Sequence, residues 1–363
     1  KKIEMFKFPD TINKLRKLIS NSGFDGFLVT NDYNRRYISG FSGSAGYLLI
    51  TKKDSVLITD FRYIEQASIE APGFEIIRMN HHIKWFTDLV RRLNCKSIGF
   101  ESDDLTVNSF TKIKEEILQG KLQITLEPTI DYIFNIRAIK SEHELNLLKK
   151  AIDISDKAFN NVYKNMSPGS SEEQLAWLFE KSVRELGGEA ISFDTIVASG
   201  SNAARPHHRA GSDLLKEREP IVIDCGARFE GYCSDLTRTV VMGHPDKFTK
   251  NIYEIVLAAQ ETAIELVETG MTGEECDSLA RNVIREAGYD KNFGHSLGHG
   301  VGLQVHELPT IGPKSTLKIE DSMVFTIEPG IYIEGWGGVR IEDIVVMENG
   351  KAKLLSNASK SRY

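Results

Sequence analysis

Four acidic residues and one histidine carry the chemistry that this sequence advertises. Asp224 and Asp235 stand eleven positions apart in the stretch IVIDCGARFEGYCSD, and Glu328 and Glu342 close a second acidic stretch further on. Between them lies His295-Ser296-Leu297-Gly298-His299-Gly300-Val301-Gly302, where glycines flank His299 and leave room for a close backbone approach. Four carboxylates carry a formal −4, which two divalent cations balance, and a neutral His299 completes the set without further residues. Oxygen-rich ligation with one imidazole and no thiolate favours manganese, with cobalt, iron or zinc as alternatives. Two such ions lower the pKa of a bridging water, so that hydroxide is available as nucleophile near neutral pH, and they polarise a carbonyl as Lewis acids. The expected reaction is hydrolysis. His207, His295 and His306 are not needed as ligands and are expected to bind substrate, move protons or hydrogen-bond a tetrahedral intermediate. Arg340, two residues before Glu342, is expected to orient that carboxylate.

These side chains need elements to aim them. Residues 221–227 read as a strand, 229–231 as a tight connection and 232–242 as the returning strand, a hairpin that sets Asp224 opposite Asp235 with Cβ atoms about 4.5–5.5 Å apart. A second hairpin runs over 323–328 and back through 339–347, with Gly335, Gly337 and Gly338 in its connection. The two belong to a repeat. Residues 168–187 align with 269–288 at an offset of 101 with six identities in twenty, among them Gly169 with Gly270 and Gly187 with Gly288. The correspondence continues from His207 to His306 and from Asp224 to Glu328. Each half repeats one plan: two helices, a strand, a histidine and an acid-bearing hairpin. A pseudo-twofold axis between the halves would bring the acids together at the seam.

At 363 residues the chain has the length of about two domains. Residues 1–135 alternate β-rich runs with helical patterns (12–20, 83–93) and read as an α/β domain. The boundary falls near Arg137 to Ser141, where Ser141 and Glu144 form a capping box that opens a long helix ending at Met166-Ser167-Pro168-Gly169. Residues 136–363 form the second domain. The glycine-rich segment 40–46 lacks the GxGxxG order and reads as a turn shaping a cleft wall. His81, His82 and His244 read as surface residues, and His208 as an ordinary neighbour of His207. A net charge of −6 with both signs interspersed offers no basic stripe for nucleic acid and no polybasic membrane patch. Neither a signal-peptide run nor a membrane span stands out, so the chain reads as cytoplasmic, and Cys95, Cys225, Cys233 and Cys276 read as packed, reduced thiols without zinc spacing.

The residues in these motifs resemble those of the pita-bread metallopeptidases, specifically the aminopeptidase P and prolidase branch. The likeness rests on Arg205-Pro206-His207-His208, Asp224 with Gly231-Tyr232-Cys233-Ser234-Asp235-Leu236-Thr237-Arg238-Thr239, Gly294 to Gly300, Val305-His306-Glu307, Ile327-Glu328-Pro329-Gly330 and Gly338-Val339-Arg340-Ile341-Glu342-Asp343, and it covers nearly the whole chain. It implies a creatinase-like N-terminal α/β domain and a pita-bread catalytic domain with an internal pseudo-twofold repeat. The family further implies a two-metal centre on Asp224, Asp235, His299, Glu328 and Glu342, and cleavage before proline near a free N-terminus. Glu328 would assist proton transfer, His207, His306 and Arg340 would support the substrate, and a homodimer is expected. The leading expectation is an aminopeptidase P-like enzyme acting on short proline-containing peptides, with a proline dipeptidase of the same fold as the alternative. Some dipeptidase relatives carry an arginine shortly after the histidine equivalent to His306, where Thr310 stands here. A metal-free creatinase-type hydrolase and a non-catalytic peptide-binding module share the fold, and the intact ligand set argues against both.

Overall fold

The computed structural model describes residues 8–79 and 83–360, so His81 and His82 lie outside the described residues. It divides into two compact units, residues 1–137 and 138–363.

The first unit runs α1 (Phe8–Asn21), β1 (Gly26–Val29), α2 (Asp32–Ser39), β2 (Tyr47–Thr51), β3 (Ser55–Thr59), α3 (Ile64–Glu70), β4 (Glu75–Arg78), α4 (Lys84–Arg92), β5 (Ser97–Glu101), α5 (Val107–Gln119), β6 (Thr125–Thr129) and α6 (Tyr132–Ala138). Its strands form one mixed sheet in the order β4-β3-β2-β1-β5-β6, in which β1 pairs antiparallel with β2 and parallel with β5. Every residue of β1 is buried, as expected of a central strand covered on both faces. Leu28, Ile58, Phe86, Ile98 and Ile113 make the core of this unit. The glycine-rich segment folds back on buried Arg35, whose guanidinium donates to the carbonyls of Gly43 and Gly46.

The second unit opens with α7 (Glu142–Asn165), whose start is the capping box of Ser141 and Glu144. There follow α8 (Glu172–Glu185), β7 (Ala190–Ile191), β8 (Ile196–Ser199), β9 (Pro220–Cys225), β10 (Ala227–Phe229), β11 (Tyr232–Cys233) and β12 (Leu236–Val241). The second half answers with α9 (Lys247–Leu266), α10 (Gly273–Glu286), β13 (Gly298–Gly300), β14 (Glu307–Ile311), β15 (Val324–Ile327), β16 (Gly330–Ile333), β17 (Gly337–Arg340), β18 (Asp343–Glu348) and β19 (Lys351–Leu354). The repeat is visible in local chemistry. α8 starts at a capping box of Ser171 and Gln174 and α10 at one of Thr272 and Glu275, each pair again 101 residues apart. Gly169 and Gly270 take φ of 87° and 96°, and Gly187 and Gly288 take 92° and 88°. Each half has its own core, around Phe159, Phe179 and Ile223 in the first and around Val256, Ile284 and Phe325 in the second.

Both acidic hairpins depart from the continuous ladders expected. In the first, β9 and β12 pair with Cys225 opposite Leu236 and Thr237 opposite Asp224, after which the chain leaves that sheet. The tip continues as β10 and β11, joined to β7 in a separate three-stranded sheet. Gly226 sits at the break, where a Cβ would lie 2.1 Å from the Ser234 carbonyl oxygen, so no larger residue fits. The tip turns through Glu230 and Gly231, both at positive φ (46° and 87°), the backbone of a two-residue hairpin turn. The register therefore corrects the expected pairing: Thr237, not Asp235, faces Asp224. Asp235 lies two residues before Thr237 and meets Asp224 diagonally across one face. The second hairpin is split likewise, into β15–β18 and β16–β17, and its register, Ile327 to Asp343 and Gly330 to Arg340, sets Glu328 across from Glu342.

Candidate metal centre

The hairpins meet side by side along β12. Thr239 Oγ1 and the Arg340 backbone bond each other, Glu342 N donates to the Thr237 carbonyl, and buried Arg238 reaches from the first hairpin to Asp343 Oδ1 at 2.6 Å and to the Glu342 carbonyl. Asp224, Asp235, Glu328 and Glu342 consequently converge on one cavity of about 880 Å³, together with His207, His295, His299, His306 and Arg340. All nine residues singled out in the sequence line it.

Asp235, His299 and Glu342 each offer a ligand atom within 4.8 Å of the others. His299 is carried by β13. Its flanking glycines serve the strands more than the ion: a Cβ at Gly298 would stand 1.9 Å from the Thr326 carbonyl oxygen. His299 Nδ1 faces the Gly300 carbonyl at 3.1 Å, and Nε2 points at Glu328 Oε1 (3.2 Å) and Asp235 Oδ2 (3.6 Å). Asp224 is tied in through Arg340, whose Nη2 donates to Asp224 Oδ2 at 2.8 Å. Arg340 does not touch the Glu342 carboxylate as expected. Its Nε donates to Thr237 Oγ1, and that hydroxyl in turn donates to Glu342 Oε2 at 2.6 Å.

The electrostatics are those of a cage built for cations. Burial, then the neighbouring carboxylates Glu342, Asp224 and Glu328, push Asp235 well above the usual carboxylate range. Glu342 is pushed up for the same reasons. Burial also raises Asp224, against the pull of Arg340. Glu328 goes the other way: burial raises it, but the His299 hydrogen bond and charge outweigh burial and hold it at about 2. Asp224 Oδ1 and Glu342 Oε1 are buried with no hydrogen-bond partner, an expensive condition for carboxylate oxygens unless something positive binds them. The donor set fits hard divalent cations, with Asp224, Asp235, His299, Glu328 and Glu342 as the residues positioned to hold them.

The other histidines differ in freedom. The His306 ring stands edge-on to His299 with centroids 4.2 Å apart and is exposed to the cavity. Burial and the neighbouring His299 lower its pKa. His207 is likewise exposed on the cavity wall. His295, expected to bind substrate, has both nitrogens engaged within the protein. Nδ1 lies 2.8 Å from the Ser296 carbonyl, and Nε2 lies 2.9 Å from the Tyr332 hydroxyl, which itself accepts from Arg340 Nη1. His208 is no bystander: its Nε2 lies 2.7 Å from Glu172 Oε2, a side chain with no exposed surface. His244 is exposed and all four cysteines are free and buried. Thr237, Tyr332 and Glu172 were missed by sequence reasoning. Period-two spacing from Asp235 could have found Thr237, but nothing marks Tyr332, and Glu172 reads as an ordinary first-turn acid.

A buried cage of carboxylates and one imidazole on a doubled β-frame defines a metal-dependent hydrolase. The models of two families match: the creatinase/prolidase N-terminal domain over residues 11–139 and metallopeptidase family M24 over residues 146–349. The chain belongs to metallopeptidase family M24, and its second unit has the pita-bread fold. An uncharacterised peptidase of Bacillus subtilis is 42% identical over 94% of this chain and 97% of its own length. A protein of Pyrococcus horikoshii named Xaa-Pro dipeptidase is 38% identical over 95% of this chain and 96% of that protein. Among solved structures, an Xaa-Pro dipeptidase from Bacillus anthracis superposes with a TM-score of 0.93 at 40% identity, covering 98% of this chain and 99% of the other. An X-Pro aminopeptidase from Thermotoga maritima follows at 0.89 and 38%, covering 96% and 98%. No helix among the described residues is long and apolar enough to cross a membrane.

Proposed function

We propose that the protein hydrolyses the peptide bond before proline at the free N-terminus of short peptides, as an aminopeptidase P-like enzyme. The observation that carries a metal mechanism is the pair of buried, unpartnered oxygens, Asp224 Oδ1 and Glu342 Oε1, in the same cavity as His299, whose Nε2 faces Glu328 and Asp235. Two divalent ions held by Asp224, Asp235, His299, Glu328 and Glu342 would supply Lewis acidity and an activated water. The chain's own groups do the rest. Glu328 is kept ionised and sits where it can accept a proton, while exposed His306 and His207 flank the cavity with ring nitrogens available to the scissile amide. Arg340, spent on Asp224, Tyr332 and Thr237, holds the acids in place from behind. The preference for proline rests on relatives that carry the Xaa-Pro description at 36–40% identity. All three are named Xaa-Pro dipeptidase, which supports the second reading, a proline dipeptidase of the same fold, whereas the Thermotoga maritima neighbour carries the X-Pro aminopeptidase name.

Manganese is the proposed metal, on the oxygen-rich ligand set. A cytoplasmic homodimer is the proposed working form, following the resemblance and the absence of a membrane-spanning helix among the described residues. The test is hydrolysis of Xaa-Pro and Xaa-Pro-Yaa against Xaa-Ala controls, with metal analysis, on the wild type and on Asp224→Asn. Activity confined to the proline peptides and lost with the metal is the expected result. Full activity in the chelated enzyme would remove the mechanism.

A further inference from the structure

The segment that carries His207 also presents a cation that the site does not otherwise use. Seven carboxylates line the cavity, Glu173, Glu180 and Asp194 in addition to the four of the centre, against two guanidinium groups. One of these, Arg340, is spent on Asp224, Tyr332 and Thr237. The other is Arg209, which is exposed and forms no ion pair among the described residues. Thr310, on the same cavity, brings a hydroxyl and no charge.

Arg209 is not on a loose loop. Residues 207 to 210 alternate exposed, half-buried, exposed, half-buried, so His207 and Arg209 share the open side while His208 and Ala210 face inward. Each inward residue is anchored. His208 Nε2 meets Glu172 Oε2 at 2.7 Å, Ala210 packs on the core of its half, and Gly211 is bonded twice, its N to Glu172 Oε2 and its carbonyl from Glu173 N. The same Glu172 carboxylate accepts from Ser199 N, Ser199 Oγ and Asn202 Nδ2 at 2.8–2.9 Å through Oε1. One buried carboxylate thus fixes the segment on both sides of Arg209, through His208 before it and Gly211 after it, with His207 only two residues away.

We infer that Arg209 receives the free C-terminal carboxylate of the substrate. This rests on the Xaa-Pro peptidase reading and adds to it the end of the peptide opposite the reacting amine. An anionic cavity repels a carboxylate everywhere except at the metal centre and at its one unpaired guanidinium, and a planar guanidinium matches a carboxylate with two parallel hydrogen bonds. That carboxylate belongs either to the proline of an Xaa-Pro dipeptide or to the last residue of a tripeptide. Comparing the two lengths separates these sources.

The experiment uses manganese-loaded full-length enzyme, wild type and Arg209→Gln, with Arg209→Lys as the conservative variant. Each is assayed on an Xaa-Pro dipeptide, an Xaa-Pro-Yaa tripeptide and the C-terminal amide of each. The expected result is a wild-type preference for acid over amide at one length, carried in KM. In Arg209→Gln that ratio falls about ten- to a hundredfold, and Arg209→Lys restores part of it. Equal losses on acid and amide, or an unchanged ratio at both lengths, overturn the assignment while leaving the peptidase reading intact. A wild-type enzyme that cleaves none of the four peptides overturns both.

Discussion

Arg340 Nη2 lies 2.8 Å from Asp224 Oδ2, an ion pair that joins the second acidic hairpin to the first. Both side chains are almost fully enclosed, so the pair is held in a medium where a lone charge is costly. The same guanidinium donates to Thr237 Oγ1 and to the Tyr332 hydroxyl. Replacing it by alanine leaves the Asp224 carboxylate without its partner and frees Tyr332 and Thr237. Arg340→Ala is expected to lower metal affinity or kcat/KM about 10–100-fold. Arg340→Lys should recover little, because an ammonium cannot span three partners in a fork. Metal titration and kcat/KM on one Xaa-Pro peptide check this, and a Lys variant with wild-type values would refute the bridging role.

Metal binding should release protons. In the metal-free protein burial and mutual repulsion push Asp235 and Glu342 well above the usual carboxylate range, so the cage keeps protons to a higher pH than exposed carboxylates do. A divalent ion needs those carboxylates ionised, and the protons must leave as it enters. Calorimetric titration with manganese at pH 7 in buffers of different ionisation enthalpy should give apparent enthalpies that differ by the proton count. Asp235→Asn should reduce the count. Enthalpies independent of buffer would contradict the raised values.

Glu172 is expected to act through His207. Glutamine at this position keeps a carbonyl for Ser199 and Asn202 but offers an amide donor where His208 Nε2 and Gly211 N now meet a carboxylate oxygen. The prediction is a kcat/KM about tenfold lower in Glu172→Gln with metal content unchanged. In a His207→Ala background the same substitution should cost much less, because the residue it positions is gone. Additive losses would reduce Glu172 to a general stabiliser of the fold.

The acids and histidines of the centre were legible because hydrolytic metal sites demand particular residue types, and a repeat places them at matching positions twice. One capping box was legible because Ser141 with Glu144 is a purely local pattern, which the structure reproduces. What escaped depends on contacts across long separations. The break at Gly226 arises because Ser234 crowds it, and no periodicity in residues 221–242 announces that the ladder changes sheets there. His208 looked idle because its partner Glu172 is thirty-six residues away on a different element. Arg340 was assigned to Glu342 by nearness in sequence, whereas packing against the first hairpin sends it to Asp224, 116 residues off.

The first unit carries its own pH dependence, set by Glu101 at the end of β5. Its carboxylate is buried and accepts from Thr30 N, Asn31 N and Asn34 Nδ2. Burial outweighs these bonds and raises its pKa from 4.5 to about 7. Below the unfolded value the group is protonated in both states and costs nothing. As pH rises from about 4.5 to about 7 the unfolded chain gives up its proton while the fold retains it, so stability falls. Above about 7 the whole penalty stands, on the order of 3 kcal/mol from the span of the shift. Trp85 lies in this unit, whereas Trp177 and Trp336 lie in the other, so fluorescence in a Trp177→Phe, Trp336→Phe background reports its unfolding separately. Urea midpoints should drop between pH 5 and 8, and Glu101→Gln should flatten that slope whatever it does to the absolute stability. A variant with the wild-type slope would assign the pH dependence to other groups and return Glu101 to the ordinary carboxylate range.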